Sequence, residues 1–201
     1  MIKELGEGLV SQKFPVNSIA VVLGASGGIG AAVFDLLCRD KTFLKVIPAS
    51  RSTKPKLDLK DDYFDFVWCN GVLHHTKDPY KAFQIVAKSL KSEGYILIGL
   101  YNKFGRLRTI LRKYLSKIFG VRFLEFFDPT LKNLKISDEE RKSWIKDQYF
   151  HPIESLHTLD EVLEWFDNND IEYINSIPSC DFEFSQDYSN LFKKNSLGSF
   201  Y

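Results

Sequence analysis

The chain has 201 residues, 44% of them hydrophobic and 26% charged, which suits one α/β domain with a proper core and argues against a disordered chain. Lys and Arg total 27 against 26 Asp and Glu, so the formal charge of +1 gives no reason to expect nucleic acid or an anionic membrane as the main partner. Cys38, Cys69 and Cys180 stand far apart with no C-x-x-C pair, which excludes a structural zinc site of that type, and no run is apolar for long enough to serve as a signal peptide or a membrane span. A cytoplasmic protein with no membrane partner is the expectation.

In chain order, the continuous apolar run Ile19–Leu23 predicts a strand buried on both faces of a parallel sheet. The glycine-rich Gly24-Ala25-Ser26-Gly27-Gly28-Ile29-Gly30 follows, and a helix from about Gly28 places Ile29, Val33, Leu36 and Leu37 on one face. Phe43–Ser50 reads as a second strand and Lys56–Leu59 as a short third. Tyr63–Asn70 is a strong strand. Asp78-Pro79 opens a helix with Ala82, Ile85, Val86 and Leu90 inward and Gly94 as its stop. Tyr95–Asn102 is another buried strand. Strands alternating with helices predict an α/β, Rossmann-like, doubly wound and mostly parallel sheet.

The next segment, residues 103–150, is helical and polar. It starts with a basic amphipathic helix carrying Lys103, Arg106, Arg108, Arg112, Lys113 and Lys117. It reads either as a helical lid over the carboxyl ends of the strands or as a surface pair with a solvated basic face. Thr158 as N-cap with Glu161 three residues on predicts a capping box, a helix buries Val162, Leu163, Trp165 and Phe166, and Ile171–Ile177 predicts a last strand. The tail from Pro178 shows no periodicity. The organisation expected is one domain over 1–201: a glycine-rich nucleotide-binding start at 18–60, a core at 61–102 and 151–178, and the lid at 103–150.

Four pieces of the middle belong together: Phe64-Asp65 opening a strand, the turn Val72-Leu73-His74-His75, the helix start Asp78-Pro79, and the turn Lys91-Ser92-Glu93-Gly94. In this combination the chain closely resembles class I S-adenosylmethionine-dependent methyltransferases of the type 11 group, over about residues 57–201. Residues 18–60 differ. The G-x-x-x-G-x-G spacing of Gly24, Gly28 and Gly30 resembles the start of a short-chain dehydrogenase/reductase. Ser50-Arg51 resembles the place where that family turns a basic residue to the 2′-phosphate of NADP, and Asp58-Leu59 the place where an Asp meets the adenine.

The methyltransferase resemblance implies an acid at the end of the first strand and another at the end of the second, the latter accepting hydrogen bonds from both ribose hydroxyls. Val22-Leu23 and Ser50-Arg51 stand there instead. Losing such a charged acceptor costs roughly 1.5–3 kcal/mol, or about one to two decades of affinity. The reductase resemblance implies a Tyr with a Lys four residues on, and none of the nine tyrosines has one. Only twelve residues separate Ser50 from Tyr63, too few for a crossover with its helix and a third strand together. The sheet is therefore expected to be incomplete, and the chain to be a composite whose start and remainder suit different cofactors.

The site expected is the carboxyl edge of the sheet. Cofactor-binding candidates are Gly24, Ala25, Ser26, Gly28, Ile29 and Gly30 on the turn, Ser50 and Arg51 after the second strand, Asp58 and Leu59, and Asn70, Gly71 and Val72 after the Tyr63–Asn70 strand. His74 or His75 is the candidate base, each equally readable as a packed turn element, and Tyr101 is a candidate to position the acceptor. No metal ligand set is seen. The leading expectation is a methyltransferase using S-adenosylmethionine on a small molecule, possible in truncated or chimeric form, with an RNA acceptor still open. The alternatives are an NADP-binding reductase-like protein without its catalytic pair, and a non-catalytic chimera.

Overall fold

A computed structural model describes residues 14–50, 58–129, 131 and 137–176. The chain forms two compact units, divided between Leu100 and Tyr101.

The first unit is a four-stranded parallel sheet of β1 (Ser18–Leu23), β2 (Phe43–Ala49), β3 (Phe64–Asn70) and β4 (Leu90–Gly99), in the order β2-β1-β3-β4. Helix α1 (Gly28–Arg39) connects β1 to β2, and α2 (Pro79–Lys88) connects β3 to β4. Because parallel crossovers are right-handed and these two run outward in opposite directions, the helices cover opposite faces. Side chains alternate along a strand, so Ala20, Val22, Phe66 and Trp68 form one core with Val33 and Leu37 of α1. Val21, Val67 and Cys69, all fully buried, point to the face where α2 buries Phe83 and Val86. Trp68 is thus core. Burial also pushes the Cys69 thiol up to about 12.

Three details differ from the pattern read in the sequence. On α1 the buried residues are Gly30, Val33 and Leu37, whereas Ile29 and Leu36 are exposed, because the helix packs through its glycine. On α2 the fully buried anchor is Phe83 and Ile85 is exposed; Asp78 caps the helix through the Lys81 N–H as its position suggests. The helix ends at Lys88 rather than near Gly94. Residues 91–94 instead bulge out of β4, where the register with β3 jumps between Phe64 and Phe66 and Glu93 takes φ 63°.

Among the described residues between β2 and β3 there is no strand: Asp58 and Leu59 are irregular, and Lys56 and Leu57 lie outside the described set.

The second unit contains α3 (Leu107–Phe119), α4 (Arg122–Phe127), α5 (Asp138–Phe150) and α6 (Leu159–Asp167). Its core gathers Leu124, Leu131, Ile145 and Tyr149, and the Tyr149 hydroxyl donates to Asp128 at 2.5 Å. Burial and the neighbouring Asp128 carboxylate push the Tyr149 hydroxyl up to about 12. Ser137 and Glu140 form a full capping box at the start of α5. At α6 only half of the expected box forms. Thr158 accepts the Glu161 N–H, but the Glu161 carboxylate pairs with His157 Nδ1 at 2.9 Å. Ile171–Ser176 is irregular rather than a strand, and residue 177 onward lies outside the described set.

Helix α3 reverses the usual arrangement. Its Ser116 and the preceding Arg106 are buried, Arg112 reaches Asp128, and its apolar residues Leu107, Leu111, Tyr114 and Ile118 face outward. Of the expected basic face, Lys103, Arg108 and Lys117 are exposed, whereas Arg106 is buried and Arg112 pairs with Asp128. No helix among the described residues is long and apolar enough to cross a membrane.

Candidate functional site

In an open parallel sheet, ligands bind outside the carboxyl ends of the strands where the strand order reverses. Here the chain runs outward from β1 to β2 on one side and from β3 to β4 on the other, so the reversal lies between β1 and β3. The glycine turn sits at that point. Gly24 adopts φ +80°, a conformation that side-chain-bearing residues rarely take, and its N–H and that of Ala25 both donate to the Ala49 carbonyl at 2.8 and 3.1 Å. A Cβ on Gly24 would come 3.0 Å from the Val72 methyl. A Cβ on Gly30 would run into the Gly24 carbonyl, so only glycine lets α1 start this close to β1. The N-terminus of α1 has no side-chain cap and no acid in its first turn, and Ser26, Gly27, Gly28 and Ile29 are exposed. That leaves the positive end of the helix open toward the edge of the sheet.

The end of β3 closes the other wall. The Gly71 N–H donates to the Gly99 carbonyl at 3.1 Å, and the Asn70 side chain lies directly over Gly99, where any Cβ would displace it. Val72 opens a single helical turn, Leu73–His75, locked by the Thr76 hydroxyl and N–H on the Leu73 carbonyl at 2.7 and 2.9 Å. The rings of His74 and His75 meet edge to face with centroids 4.2 Å apart. His74 is only 1% exposed, whereas His75 is half-buried. Of the two candidate bases, His75 has the better access to solvent and solute.

The turn Gly24–Gly30, the Ala49-Ser50 end of β2 and Asn70-Gly71-Val72 therefore share one edge of the first unit. Ser50 is half-buried there; Arg51 lies outside the described residues. Asp58 is exposed and Leu59 half-buried on the link before β3. Tyr101 belongs to the second unit, where the Arg106 guanidinium stacks 4.0 Å from its ring centroid and Gln148 donates to its hydroxyl at 3.4 Å. Arg106 is itself buried, bound to Glu154 at 2.7 Å and to the Gln148 carbonyl at 2.9 Å. His157 is held between Ser155 and Glu161 and against Trp165, a structural placement. Among the described residues no group of His, Cys, Asp and Glu is arranged to hold a metal.

One functional relation was present in the sequence without its reason being visible. The Asp65 carboxylate accepts the Ile19 N–H at 2.7 Å and binds Lys91 Nζ at 2.8 and 3.0 Å. The Phe-Asp strand start and the Lys-x-x-Gly turn are thus two halves of one clasp, which ties β1, β3 and β4 together at the edge opposite the glycine turn.

Residues 33–98 match the methyltransferase domain family. Over these residues, about a third of the chain, the protein is similar to class I S-adenosylmethionine-dependent methyltransferases. The match starts inside α1, so β2 and the later part of α1 fall within it. The reductase reading rests on the sequence of residues 18–60 alone. A tRNA U34 carboxymethyltransferase of Aliarcobacter butzleri is 33% identical over 104 residues, which is 51% of this chain and 31% of the relative. The chain thus spans about a third of the length of this curated relative. Among solved structures, PKMT2 of Rickettsia typhi superposes with a TM-score of 0.56 at 14% identity, over 88% of this chain and 43% of that one. The same protein in complex with AdoHcy gives 0.50 at 13% identity, over 79% and 40%. These two show the fold.

The cofactor of this methyltransferase family is S-adenosylmethionine. The cradle fits it in part. The Gly24 turn, the open start of α1 and the Asn70–Val72 wall suit a nucleoside lying across the reversal point. The acids implied by the family resemblance are absent from Leu23 and Ser50, which leaves the Ser50 hydroxyl as the one side-chain acceptor at the described end of β2.

Proposed function

We propose that this chain is the cofactor-binding core of an S-adenosylmethionine-dependent methyltransferase acting on a small molecule. One observation carries the reading: the glycine turn after β1 meets the Asn70–Val72 end of β3 at the reversal point of a sheet whose β2 and β3 lie within the methyltransferase-domain match. When bound, the cofactor supplies a methyl group activated on a sulfonium, so the protein's task is alignment and exclusion of water. In this reading Gly24, Ala25, Ser26, Gly28, Ile29 and Gly30 offer backbone contacts to the nucleoside, and Asn70, Gly71 and Val72 flank it. His75 accepts the proton of an acceptor that must lose one, with His74 packed behind it. Both described cysteines are free thiols, which supports work in a reducing compartment such as the cytoplasm.

The test is thermal unfolding of the full chain with S-adenosylhomocysteine. At a hundred times the dissociation constant the native state gains about 2.7 kcal/mol, a readily measured rise in melting temperature. No shift with S-adenosylhomocysteine or S-adenosylmethionine at millimolar concentration would overturn the reading. In sequence, Arg51 stands where the resemblance implies a ribose-binding acid and offers donors only, so Arg51→Glu strengthens the binding; unchanged or weaker binding counts against that role. A tRNA acceptor is the second reading, favoured by the identity with the tRNA-directed relative. Methylation of bulk tRNA but of no small-molecule fraction would select it.

A further inference from the structure

We propose that the second unit docks on anionic lipid bilayers through the outward apolar ridge of α3 and the cationic cleft beside it. A helix packed on a protein core turns its apolar stripe inward. In α3 the opposite holds: Leu107, Leu111, Tyr114 and Ile118, spaced at i, i+4, i+7 and i+11, are 56%, 60%, 60% and 74% exposed. They occupy the centre of the exposed side. Arg108 and Lys117, both exposed, stand about 100° and 80° to either side of Leu107 on a helical wheel. The buried side takes the hydroxyl of Ser116 and the Arg112 to Asp128 pair.

The charge along the α3 segment is one-sided in sequence. Residues 103–124 hold seven Lys and Arg and no Asp or Glu, a cluster that the whole-chain charge of +1 conceals. Just past Phe119, an open cleft of about 360 Å³ is lined by Arg122, Lys142 and Lys146 with Val121, Ile145 and Phe150. Three cations around an apolar floor suit a phosphate group attached to a greasy body. An apolar ridge flanked by cations lies in a bilayer interface, with its side chains among the acyl chains and its charges at the headgroups. RNA would need the cations at the centre of the face and several planar groups for its bases, whereas here three of the four central side chains, Leu107, Leu111 and Ile118, are aliphatic and only Tyr114 is aromatic. This departs from the expectation of no membrane partner, and it concerns peripheral docking rather than a span. It does not depend on the methyltransferase reading.

The test is co-sedimentation of the full chain with phosphatidylcholine vesicles and with vesicles of phosphatidylcholine and phosphatidylglycerol at 7:3. The protein is expected to bind the anionic vesicles, to ignore the neutral ones, and to be released as salt rises. Arg108→Ser with Lys117→Ser should lower partitioning about thirtyfold, at roughly a decade and a half for two surface cations. Leu111→Ser with Ile118→Ser should lower it by more than tenfold. These positions are exposed, and far-UV circular dichroism checks the fold. The lipid-charge and salt comparisons need no variant at all. The proposal is overturned if anionic vesicles leave the protein in the supernatant at low salt, if neutral vesicles bind it equally, or if the apolar variant sediments like the parent. It is equally overturned if the apolar variant instead turns a dimer into a monomer, or abolishes retention on RNA, without any binding to vesicles.

Discussion

The clasp of Asp65 makes a quantitative prediction about what holds the sheet together. Its side chain is 16% exposed, and it accepts one backbone N–H and one ammonium. Asp65→Ala leaves the Ile19 amide without its charged acceptor, a loss of about 1.5–3 kcal/mol. The Lys91 pair adds less, because that side chain is 39% exposed and water replaces the carboxylate, so about 0.2–1 kcal/mol is expected. The sum is about 2–4 kcal/mol. Asp65→Asn keeps an oxygen for Ile19 and loses mainly the ion pair, so it should cost about 1 kcal/mol, close to Lys91→Met. Urea unfolding with hydrogen exchange read on peptides of β1, β3 and β4 measures all three in the first unit. The reasoning is refuted if the Asn variant is as unstable as the Ala variant, or if Lys91→Met costs more than Asp65→Ala.

Gly30→Ala should abolish S-adenosylhomocysteine binding and destabilise the first unit, because the added methyl meets the Gly24 carbonyl; calorimetry and a thermal melt report both. Gly99→Ala should weaken binding with β4 still paired, since it evicts the Asn70 side chain, and an unchanged affinity would remove Asn70 from the site. In a Cys180→Ser background the native protein should consume one thiol reagent equivalent quickly, at exposed Cys38, and a second only on unfolding, because Cys69 is buried and held protonated up to about pH 12. For Tyr149 the folded value is raised above that of the unfolded chain, so its contribution is complete below pH 10 and is lost as pH climbs toward 12; Tyr149→Phe should flatten that alkaline loss in a pH series of urea melts.

The strands and the first two helices were legible because each carries a continuous apolar run or a cap with a single interpretation: Ile19–Leu23, Tyr63–Asn70, and Asp78 before Pro79. The faces of those helices were harder to assign. Glycine at position 30 pulls α1 onto the turn and rotates Ile29 out, and Phe83 wins the core position on α2 by volume. The segment from Ile171 alternates like a strand, yet alternation alone supplies no partner strand, and residues 171–176 remain irregular. The glycine turn was the most conspicuous site feature, but its spacing suits a dinucleotide as well as a nucleoside. The wall it faces, Asn70 to Val72, is a tertiary relation no local window contains. The link between Asp65 and Lys91 had the same character: both residues stood out, and only the fold shows that they bond.

The central claim is that the turn at Gly24 and the end of β3 form a site for S-adenosylmethionine rather than for a dinucleotide. Isothermal calorimetry of the full chain against S-adenosylhomocysteine and against NADPH tests it most directly. The account predicts saturable heat with S-adenosylhomocysteine, lost in Gly30→Ala, and none with NADPH. Saturable binding of NADPH with silence toward S-adenosylhomocysteine would contradict it.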